Sequence, residues 1–296
     1  MNNNHEQLER MSSGKGFIAA LDQSGGSTPG ALARYGIPRE SYSDDEMLSL
    51  IHEMRSRIII NPSFRSERIL AAILFEDTID REIEGVGSAE YLWTKKHIVP
   101  FLKTDKGLAE ESDGAQCMKP IPDLQTLLDK GLHKGVFGTK MRSVIHMANP
   151  KGIAAVVDQQ FEIAQQISKT GLVPILEPEV DIKSPEKEAA ESLLNDSLVD
   201  HLDQLDSDEI VMLKLTLPEH ADLYAPLLEH RNVLRIAALS GGYSREEANE
   251  RLAANHGMIA SFSRALTEGL KVTMTDEEFT AELGHSIDEI YEASIT

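Results

Sequence analysis

The sequence predicts a single (β/α)8 barrel, and three observations support this fold class. Eight short apolar runs alternate with segments of helical spacing along the 296 residues. No linker or composition break divides the chain, and its length suits a barrel of roughly 250 residues with an N-terminal extension. Polar residues follow nearly every apolar run, as expected when strand ends form a site. A doubly wound open sheet is the alternative, and it explains the third observation less well.

The first half of the chain supplies four predicted strands, which are short apolar runs at 15–22, 68–75, 97–103 and 136–142. The intervening segments of helical character are 44–57, 89–96 and 123–133. A short polar helix around 5–11 forms an N-terminal extension, about 1–13, of the single predicted domain, 1–296.

The second half supplies four further predicted strands, 172–179, 208–218, 233–239 and 257–262. The predicted helices are 150–169, 185–205, 219–230, 244–255, 264–270 and 276–294. The first of these helices is amphipathic and stops at Gly171, the residue type that most readily ends a helix in a left-handed conformation. Helix 244–255 begins with a capping box formed by Ser244 and Glu247.

The sixth predicted strand has one charged residue in its interior, Lys214. Because strand side chains alternate, even-numbered residues 210–216 share one face and the aliphatic odd-numbered residues 211–217 form the other. The aliphatic face should pack on helices, so the lysine face should point inward. A buried ammonium is costly unless it is paired or its pKa falls, and a lysine with a lowered pKa is a nucleophile. The alternative is a lysine that reaches solvent from a strand end.

Charged and hydroxyl residues at the predicted strand ends form a candidate site: Asp22, Lys103, Lys140, Glu177, Glu179, Lys214, Ser240 and Arg264. Lys140, Glu177 and Lys214 are evenly spaced in sequence, so equal βα units would place them at one height. Two neighbouring inward lysines should depress one another's pKa, and carboxylates between them can act as an acid/base pair. This set is typical of Schiff-base chemistry on a carbonyl. The alternative is a set of structural ion pairs lining a barrel.

Two glycine-rich turns are candidate phosphate sites. Residues 240–242, Ser-Gly-Gly, follow the seventh strand and could present backbone N–H groups to an anion. Residues 24–27, Ser-Gly-Gly-Ser, offer the same chemistry after the first strand, and ordinary turn formation is the alternative for both. Arg264 opposes the dipole of the helix that it starts, which a bound anion would resolve. Lys103 either binds phosphate or pairs with Asp105.

Composition excludes several classes of function. A net charge of −20 opposes nucleic acid and anionic membranes. The single cysteine, Cys117, rules out an intramolecular disulfide and fits a reducing compartment. The polar N-terminus shows no signal peptide, so a soluble cytoplasmic protein is expected. No metal-ligand spacing, Gly-Lys-Ser phosphate loop or dinucleotide motif is present, so neither a metal nor a cofactor is expected.

Six motifs along nearly the whole chain resemble the class I fructose-bisphosphate aldolases, particularly their shorter bacterial members. They are 21–27 (LDQSGGS), 101–107 (FLKTDKG), 138–142 (GTKMR), 173–179 (VPILEPE), 212–214 (MLK) and 239–242 (LSGG). The resemblance implies that Lys214 forms the Schiff base and Glu177 is the general acid/base. It further implies that Glu179 and Lys140 position and tune the site, and that Asp22 assists carbon–carbon cleavage. The substrate-binding residues that it implies are Ser24, Ser27, Lys103, Arg142, Ser240, Gly241, Gly242, Ser261 and Arg264.

The chain departs from the animal members of that family at four places. It ends without their functional tyrosine, so Glu177 is considered for that proton transfer. Gln23 replaces an acid and Met141 replaces a tryptophan. The first-strand loop is longer, so Arg34 is not assigned to phosphate.

The predicted reaction is reversible cleavage of fructose 1,6-bisphosphate to dihydroxyacetone phosphate and glyceraldehyde 3-phosphate. A Schiff-base aldolase that prefers tagatose 1,6-bisphosphate, or another ketose phosphate, is an alternative left open by the residues. A non-catalytic phosphosugar-binding barrel is a more distant alternative. Oligomeric state is not predicted.

Overall fold

Eight parallel strands close into a barrel in the computed structural model, which describes residues 2–296. They are β1 (Phe17–Leu21), β2 (Ile69–Leu74), β3 (Val99–Lys103), β4 (Gly138–Ile145), β5 (Val173–Val180), β6 (Val211–Thr216), β7 (Val233–Leu239) and β8 (Ile259–Phe262). Each strand pairs with its sequence neighbours, and β1 pairs with β8 to close the ring. The predicted (β/α)8 barrel is therefore confirmed.

Helices connect the strands and surround the barrel. They are α1 (Asn2–Ser13), α2 (Thr28–Tyr35), α3 (Asp44–Ile60), α4 (Glu76–Asp80), α5 (Ser88–Lys96), α6 (Leu124–His133), α7 (Pro150–Ser168), α8 (Lys187–Leu202), α9 (Ala225–Leu228), α10 (Arg245–Ala253), α11 (Arg264–Thr267) and α12 (Asp276–Ala293). A two-residue hairpin joins Glu82–Ile83 to Val86–Gly87, and Ala115–Gln116 pairs antiparallel with the end of β4. Within residues 2–296, no helix is long and apolar enough to cross a membrane.

The barrel has an apolar interior beneath its polar end. Ile18, Ile175 and Met212 belong to the buried cluster that fills this interior. Leu213 and Leu215, the β6 neighbours of Lys214, instead belong to the layer between the strands and the helices. This alternation confirms the two faces predicted for the Lys214 strand, because side chains along a strand point in opposite directions in turn.

The N-terminal extension closes the other end of the barrel. Met11 of α1 is buried in the interior cluster. The Arg10 guanidinium donates a hydrogen bond to the Ile69 carbonyl at 3.0 Å, and Arg235 donates to the carbonyls of Met11 at 3.0 Å and Gly14 at 2.8 Å. These bonds satisfy carbonyls near the strand starts, so α1 seals the end opposite the strand carboxyl ends.

The secondary-structure prediction departs from the structure most clearly at two places. The predicted helix 219–230 is mostly turn and contains only the four-residue α9. Asp222 has a φ of 61°, which interrupts a right-handed helix, and Pro226 lacks an N–H and so sits in the first turn of α9. Helix α2, over Thr28–Tyr35, was not predicted; it carries Pro29 in its first turn and ends at Gly36, which has a φ of 97°.

Candidate active site

A cleft of about 640 Å³ opens at the carboxyl ends of the barrel strands. All of the predicted site residues line this cleft except Gly242, which lines an adjoining cavity of about 420 Å³. The register of the barrel explains why they meet, since Lys103 of β3 lies beside Lys140 of β4. The predicted location of these side chains, at one end of the barrel, is therefore confirmed. Their roles stay predictions.

Lys214 is the buried centre of the cleft. Its Nζ lies 2.9 Å from Glu177 Oε1, and both side chains are about 5% exposed or less. The opposite residue on β7 is Ala237, whose small side chain adds no competing polar partner. The predicted alternative of a lysine that reaches solvent is therefore wrong, because the ammonium is enclosed and paired.

Glu177 joins two lysines. Its Oε2 lies 2.9 Å from Lys140 Nζ, and Lys140 Nζ in turn lies 2.7 Å from Asp22 Oδ2. The result is a buried row of alternating charge that runs from Lys214 through Glu177 and Lys140 to Asp22. Opposite charges at these distances in a buried site interact strongly, so removing one member leaves the others uncompensated.

The predicted mutual depression of lysine pKa values is wrong for Lys140. Burial acts to lower its pKa, but the neighbouring charges of Asp22, Glu177 and Asp105 outweigh burial and raise it. The carboxylates therefore hold Lys140 as an ammonium. The sequence predicted carboxylates between the two lysines but not how close to Lys140 they lie, and these close carboxylates reverse the effect.

The carboxylates show the reciprocal effect. Burial acts to raise the pKa of Glu177, yet Lys140 and Lys214 lower it below its ordinary value. Burial acts on Asp22 in the same direction, and Lys140 and Lys214 again lower its pKa. Both side chains are therefore carboxylates at neutral pH, poised to accept a proton rather than to donate one.

Glu179 and Arg142 form a second ion pair above the first. Arg142 Nε contacts Glu179 Oε2, and both side chains line the cleft. Burial acts to lower the pKa of Arg142, but the charge of Glu179 raises it overall. Glu179 thus orients the guanidinium of Arg142 toward the cleft, which is a positioning arrangement.

The turn after β7 is tight, and the N–H groups of Gly242 and Tyr243 both donate to the Ser240 carbonyl, at 2.6 and 2.9 Å. Gly241 has a φ of 59° and Gly242 a φ of 131°, both unfavourable for other residues. A Cβ on Gly242 would lie 3.2 Å from an Arg264 guanidinium nitrogen, which places Arg264 directly beside this turn. Ser261 is buried nearby, and its hydroxyl has no hydrogen-bond partner among the described residues. The turn, Arg264 and Ser261 can therefore receive an anionic group together.

The Ser24–Ser27 turn also lines the cleft but is stabilised from within. Ser27 Oγ accepts a hydrogen bond from the Ser24 N–H at 3.0 Å and donates one to the Ser24 carbonyl at 3.0 Å. Ordinary turn formation, the alternative named for this segment, therefore accounts for the Ser27 hydroxyl. Gly26 and both serines nevertheless face the cleft.

The sequence analysis left Arg34 unassigned, and the structure places it on α2, where it lines the cleft. Burial lowers its pKa, and the charge of Arg264 lowers it further, so the two guanidinium groups lie close enough to repel one another. Two adjacent cations facing a cleft form a site for an anion. Pro29 and Gly36 are the sequence features that indicate helix α2, and the position of this helix places Arg34 at the cleft.

Arg55 of α3 is a residue that sequence reasoning missed, and it supports the loop after β1. It is fully buried, donates to Thr78 Oγ1 at 2.7 Å and contacts the Gln23 carbonyl oxygen. Burial lowers its pKa to about 10, against the opposing charge of Asp22. The Gln23 amide donates to Ser263 Oγ at 2.7 Å. Arg55 and Gln23 therefore tie the loop that carries Asp22 to the one that carries Arg264.

The tyrosine nearest the C-terminus lies elsewhere. The Arg68 guanidinium stacks 4.1 Å from the centre of the Tyr291 ring, on α12. Ser294 Oγ accepts a hydrogen bond from the Ala260 N–H at 3.0 Å, near the start of β8. No tyrosine among residues 2–296 lines the cleft, and no group of three or more His, Cys, Asp or Glu side chains in that range could hold a metal ion.

A (β/α)8 barrel with a buried lysine–carboxylate row beneath a cationic cleft defines a class of enzyme, the barrel lyases that attack a carbonyl with an amine. Residues 6–216 match the family model described as fructose-bisphosphate aldolase class-I. The chain belongs to the class I fructose-bisphosphate aldolase family.

Relatives support the same assignment over the full length. The chain is 64% identical over 294 residues to fructose-bisphosphate aldolase class 1 of Synechocystis sp., covering 99% of this chain and 98% of that protein. It is 58% identical to the protein of the same name from Clostridium acetobutylicum, covering 99% and 100%. The solved fructose-bisphosphate aldolase of Plasmodium falciparum superposes with a TM-score of 0.76 at 20% identity, covering 99% of this chain and 94% of that one. This last similarity concerns the fold.

Proposed function

We propose that the protein catalyses reversible aldol cleavage of fructose 1,6-bisphosphate to dihydroxyacetone phosphate and glyceraldehyde 3-phosphate through a Schiff base on Lys214. The observation that carries the proposal is the 2.9 Å contact between Lys214 Nζ and Glu177 Oε1 at the buried end of the cleft. The family membership and the relatives' names support the reaction.

The first step is proton transfer within this contact. Lys214 must lose a proton before its amine can add to C2 of the ketose, and Glu177 is the carboxylate within reach of that proton. Lys140 remains an ammonium on the other side of Glu177. Protonated Glu177 then donates to the hydroxyl of the carbinolamine, which leaves as water and forms the iminium ion.

The second step is cleavage of the bond between C3 and C4. The iminium accepts the electron pair of that bond, while the C4 hydroxyl loses its proton as the aldehyde forms. Asp22 is the acceptor that we assign to this proton, since Lys140 at 2.7 Å keeps it ionised. Glu177 regains from water the proton that it gave to the carbinolamine, and we assign to it the delivery of that proton to C3 of the enamine, because it adjoins Lys214 and the described tyrosines lie outside the cleft. Addition of water to the resulting iminium then releases dihydroxyacetone phosphate and restores the Lys214 amine.

The two phosphates are assigned to the cationic walls. Gly241 and Arg264 bind one of them through backbone N–H groups and a guanidinium, with Arg34 adjoining. Lys103 of β3 and Arg142 of β4 supply further positive charge in the cleft, and Arg142 also lines the adjoining cavity with Gly241 and Arg264. When both phosphates of the substrate are bound, its carbonyl is held next to Lys214, so phosphate binding orients the reacting carbon for attack by the amine.

Borohydride reduction in the presence of dihydroxyacetone phosphate tests the mechanism. The expected result is irreversible inactivation and a reduced adduct on the peptide that contains Lys214. An adduct on another lysine, or full activity after reduction together with loss of activity on chelation, would overturn the mechanism. The same treatment without dihydroxyacetone phosphate is the control, and it should leave activity unchanged.

We further propose that the enzyme works in the cytoplasm as one folded unit over residues 1–296, with a small sugar bisphosphate as its ligand and neither nucleic acid nor membrane as a partner. The net charge of −20 supports this, because it repels polyanions. Fractionation of cells tests the location, and enzyme recovered mainly with membranes would contradict it.

A further inference from the structure

Asp105 is a buried carboxylate in the cleft to which the proposed mechanism gives no role. It follows β3, and its side chain is 4% exposed. One carboxylate oxygen, Oδ1, lies 2.6 Å from Lys103 Nζ and accepts a hydrogen bond from the Gly107 N–H at 3.2 Å. The other oxygen, Oδ2, is buried and has no hydrogen-bond partner in the part of the chain that the structure describes.

The nearest cation to Oδ2 is already engaged. Lys140 Nζ lies 3.9 Å from Asp105 Oδ2, beyond hydrogen-bond distance. That ammonium lies 2.7 Å from Asp22 and 2.9 Å from Glu177, so moving toward Asp105 would weaken two closer contacts. A buried carboxylate oxygen without a donor costs free energy, and a ligand that brings a donor removes the cost.

The position of Asp105 indicates which part of a ligand it meets. It follows β3, whereas Lys214 lies on β6, and β4 and β5 with Lys140 and Glu177 intervene. The carbon bound by Lys214 therefore lies across this row from Asp105. If the C1 phosphate is the one held by Gly241 and Arg264 after β7 and β8, a ketose bisphosphate bound at C2 by Lys214 extends toward β3 with the half released as the aldehyde.

We propose that Asp105 Oδ2 accepts a hydrogen bond from the hydroxyl of the aldehyde half of the substrate, which makes Asp105 a specificity-determining residue. This inference rests on the proposed Schiff base at Lys214. The hydroxyl donates, the ionised carboxylate accepts, and no covalent step is involved. A charged acceptor left unpaired discriminates strongly against an analogue without the hydroxyl.

The test uses the condensation direction, with dihydroxyacetone phosphate and two aldehydes. One aldehyde is glyceraldehyde 3-phosphate, and the other is 3-hydroxypropanal phosphate, which lacks the hydroxyl. The wild-type enzyme should prefer the first by about 10- to 100-fold in kcat/KM. Asp105→Asn should lose most of this preference, by a fall in kcat/KM for glyceraldehyde 3-phosphate with less than about a threefold change for the deoxy aldehyde.

Two controls separate this role from a structural one. Asp123→Asn removes an exposed carboxylate outside the cleft and should keep the wild-type preference. Dihydroxyacetone phosphate alone carries no aldehyde half, so borohydride trapping of Asp105→Asn should proceed as in the wild type. An equal loss for both aldehydes, or a parallel loss of trapping, would show that Asp105 only maintains the fold of the site.

The wild-type measurement alone can refute the proposal, even if Asp105→Asn does not fold. If the wild-type enzyme prefers glyceraldehyde 3-phosphate over the deoxy aldehyde by less than about threefold in kcat/KM, no residue forms a discriminating hydrogen bond with the hydroxyl. Failure of the proposed function gives a different result, namely absence of trapping in the wild-type enzyme.

Discussion

Replacing Lys140 with methionine tests whether the buried charge row holds the site together. The side chains are of similar length, so the main change is loss of a cation 2.7 Å from Asp22 and 2.9 Å from Glu177. At an effective dielectric constant of about 20, each contact has a gross Coulomb energy of about 6 kcal/mol, offset in part by the cost of burying Lys140. Breaking buried pairs from one side costs about 3–5 kcal/mol, and we expect that range here.

The expected change in melting temperature follows from this range. For a chain of this size, about 3–5 kcal/mol corresponds to a fall of about 5–8 °C near pH 7, measured by calorimetry. Lys130→Met is the matched control, because Lys130 makes ion pairs of 2.8 and 2.9 Å with Glu76 and Asp80 while 31% exposed. Solvent screens those pairs, so the control should fall by about 2 °C or less.

The pH dependence gives the same prediction a second test. In the wild type the pKa of Asp22 is lowered, so its contribution to stability is present above the ordinary carboxyl range and lost as pH falls. Without Lys140, burial should raise this pKa, so the contribution is present at low pH and lost as pH rises. The difference between wild type and Lys140→Met should therefore shrink from about pH 7 to about pH 4. Equal shifts for the two lysine variants, or a difference that grows on acidification, would refute the reasoning.

Three further predictions concern activity. Lys214→Met should abolish borohydride trapping. The circular dichroism spectrum should stay that of the wild type, since Glu177 retains its ion pair with Lys140. Persistent trapping would contradict the assignment of Lys214. Gly241→Ala should raise KM about tenfold, because its φ is 59° and the new Cβ would lie 2.5 Å from an Ile182 methyl; adding Ile182→Ala should restore part of the loss, and an unchanged KM would contradict phosphate binding at this turn. Arg34→Ala should lower kcat/KM for fructose 1,6-bisphosphate about 10- to 100-fold. The loss should be smaller for the fructose monophosphate that lacks the phosphate bound near Arg34, and an equal loss for the bisphosphate and for each monophosphate would argue against a phosphate contact.

Much of the barrel was predictable because strand patterns are local. The alternation along β6 identified the inward face of Lys214 without knowledge of any other strand. Equal spacing of Lys140, Glu177 and Lys214 predicted that they share one height, but the register of β4 and β5 pairs Arg142, and not Lys140, with Glu177. The helix predicted at 219–230 failed where Asp222 and Pro226 override the helical spacing.

Contacts made by loops and by α2 were beyond such reasoning. Arg34 reaches the cleft because of where α2 packs, and Arg55 contacts the Gln23 carbonyl across 32 residues of sequence. Asp105 was recognisable as a possible partner of Lys103, but its second, unpaired oxygen depends on the folded loop. None of these relations has a periodic signature in the sequence.

The sequence by itself determined the barrel, the end at which the site lies, the inward direction of Lys214 and the family motifs. Periodicity and strand alternation carry that information, and both act over a few residues. Only the tertiary structure decided that Glu177 contacts both Lys214 and Lys140 at 2.9 Å and that the pKa of Lys140 rises. The physical reason is that charge interactions depend on distance and burial, which arise when strands far apart in sequence are brought together.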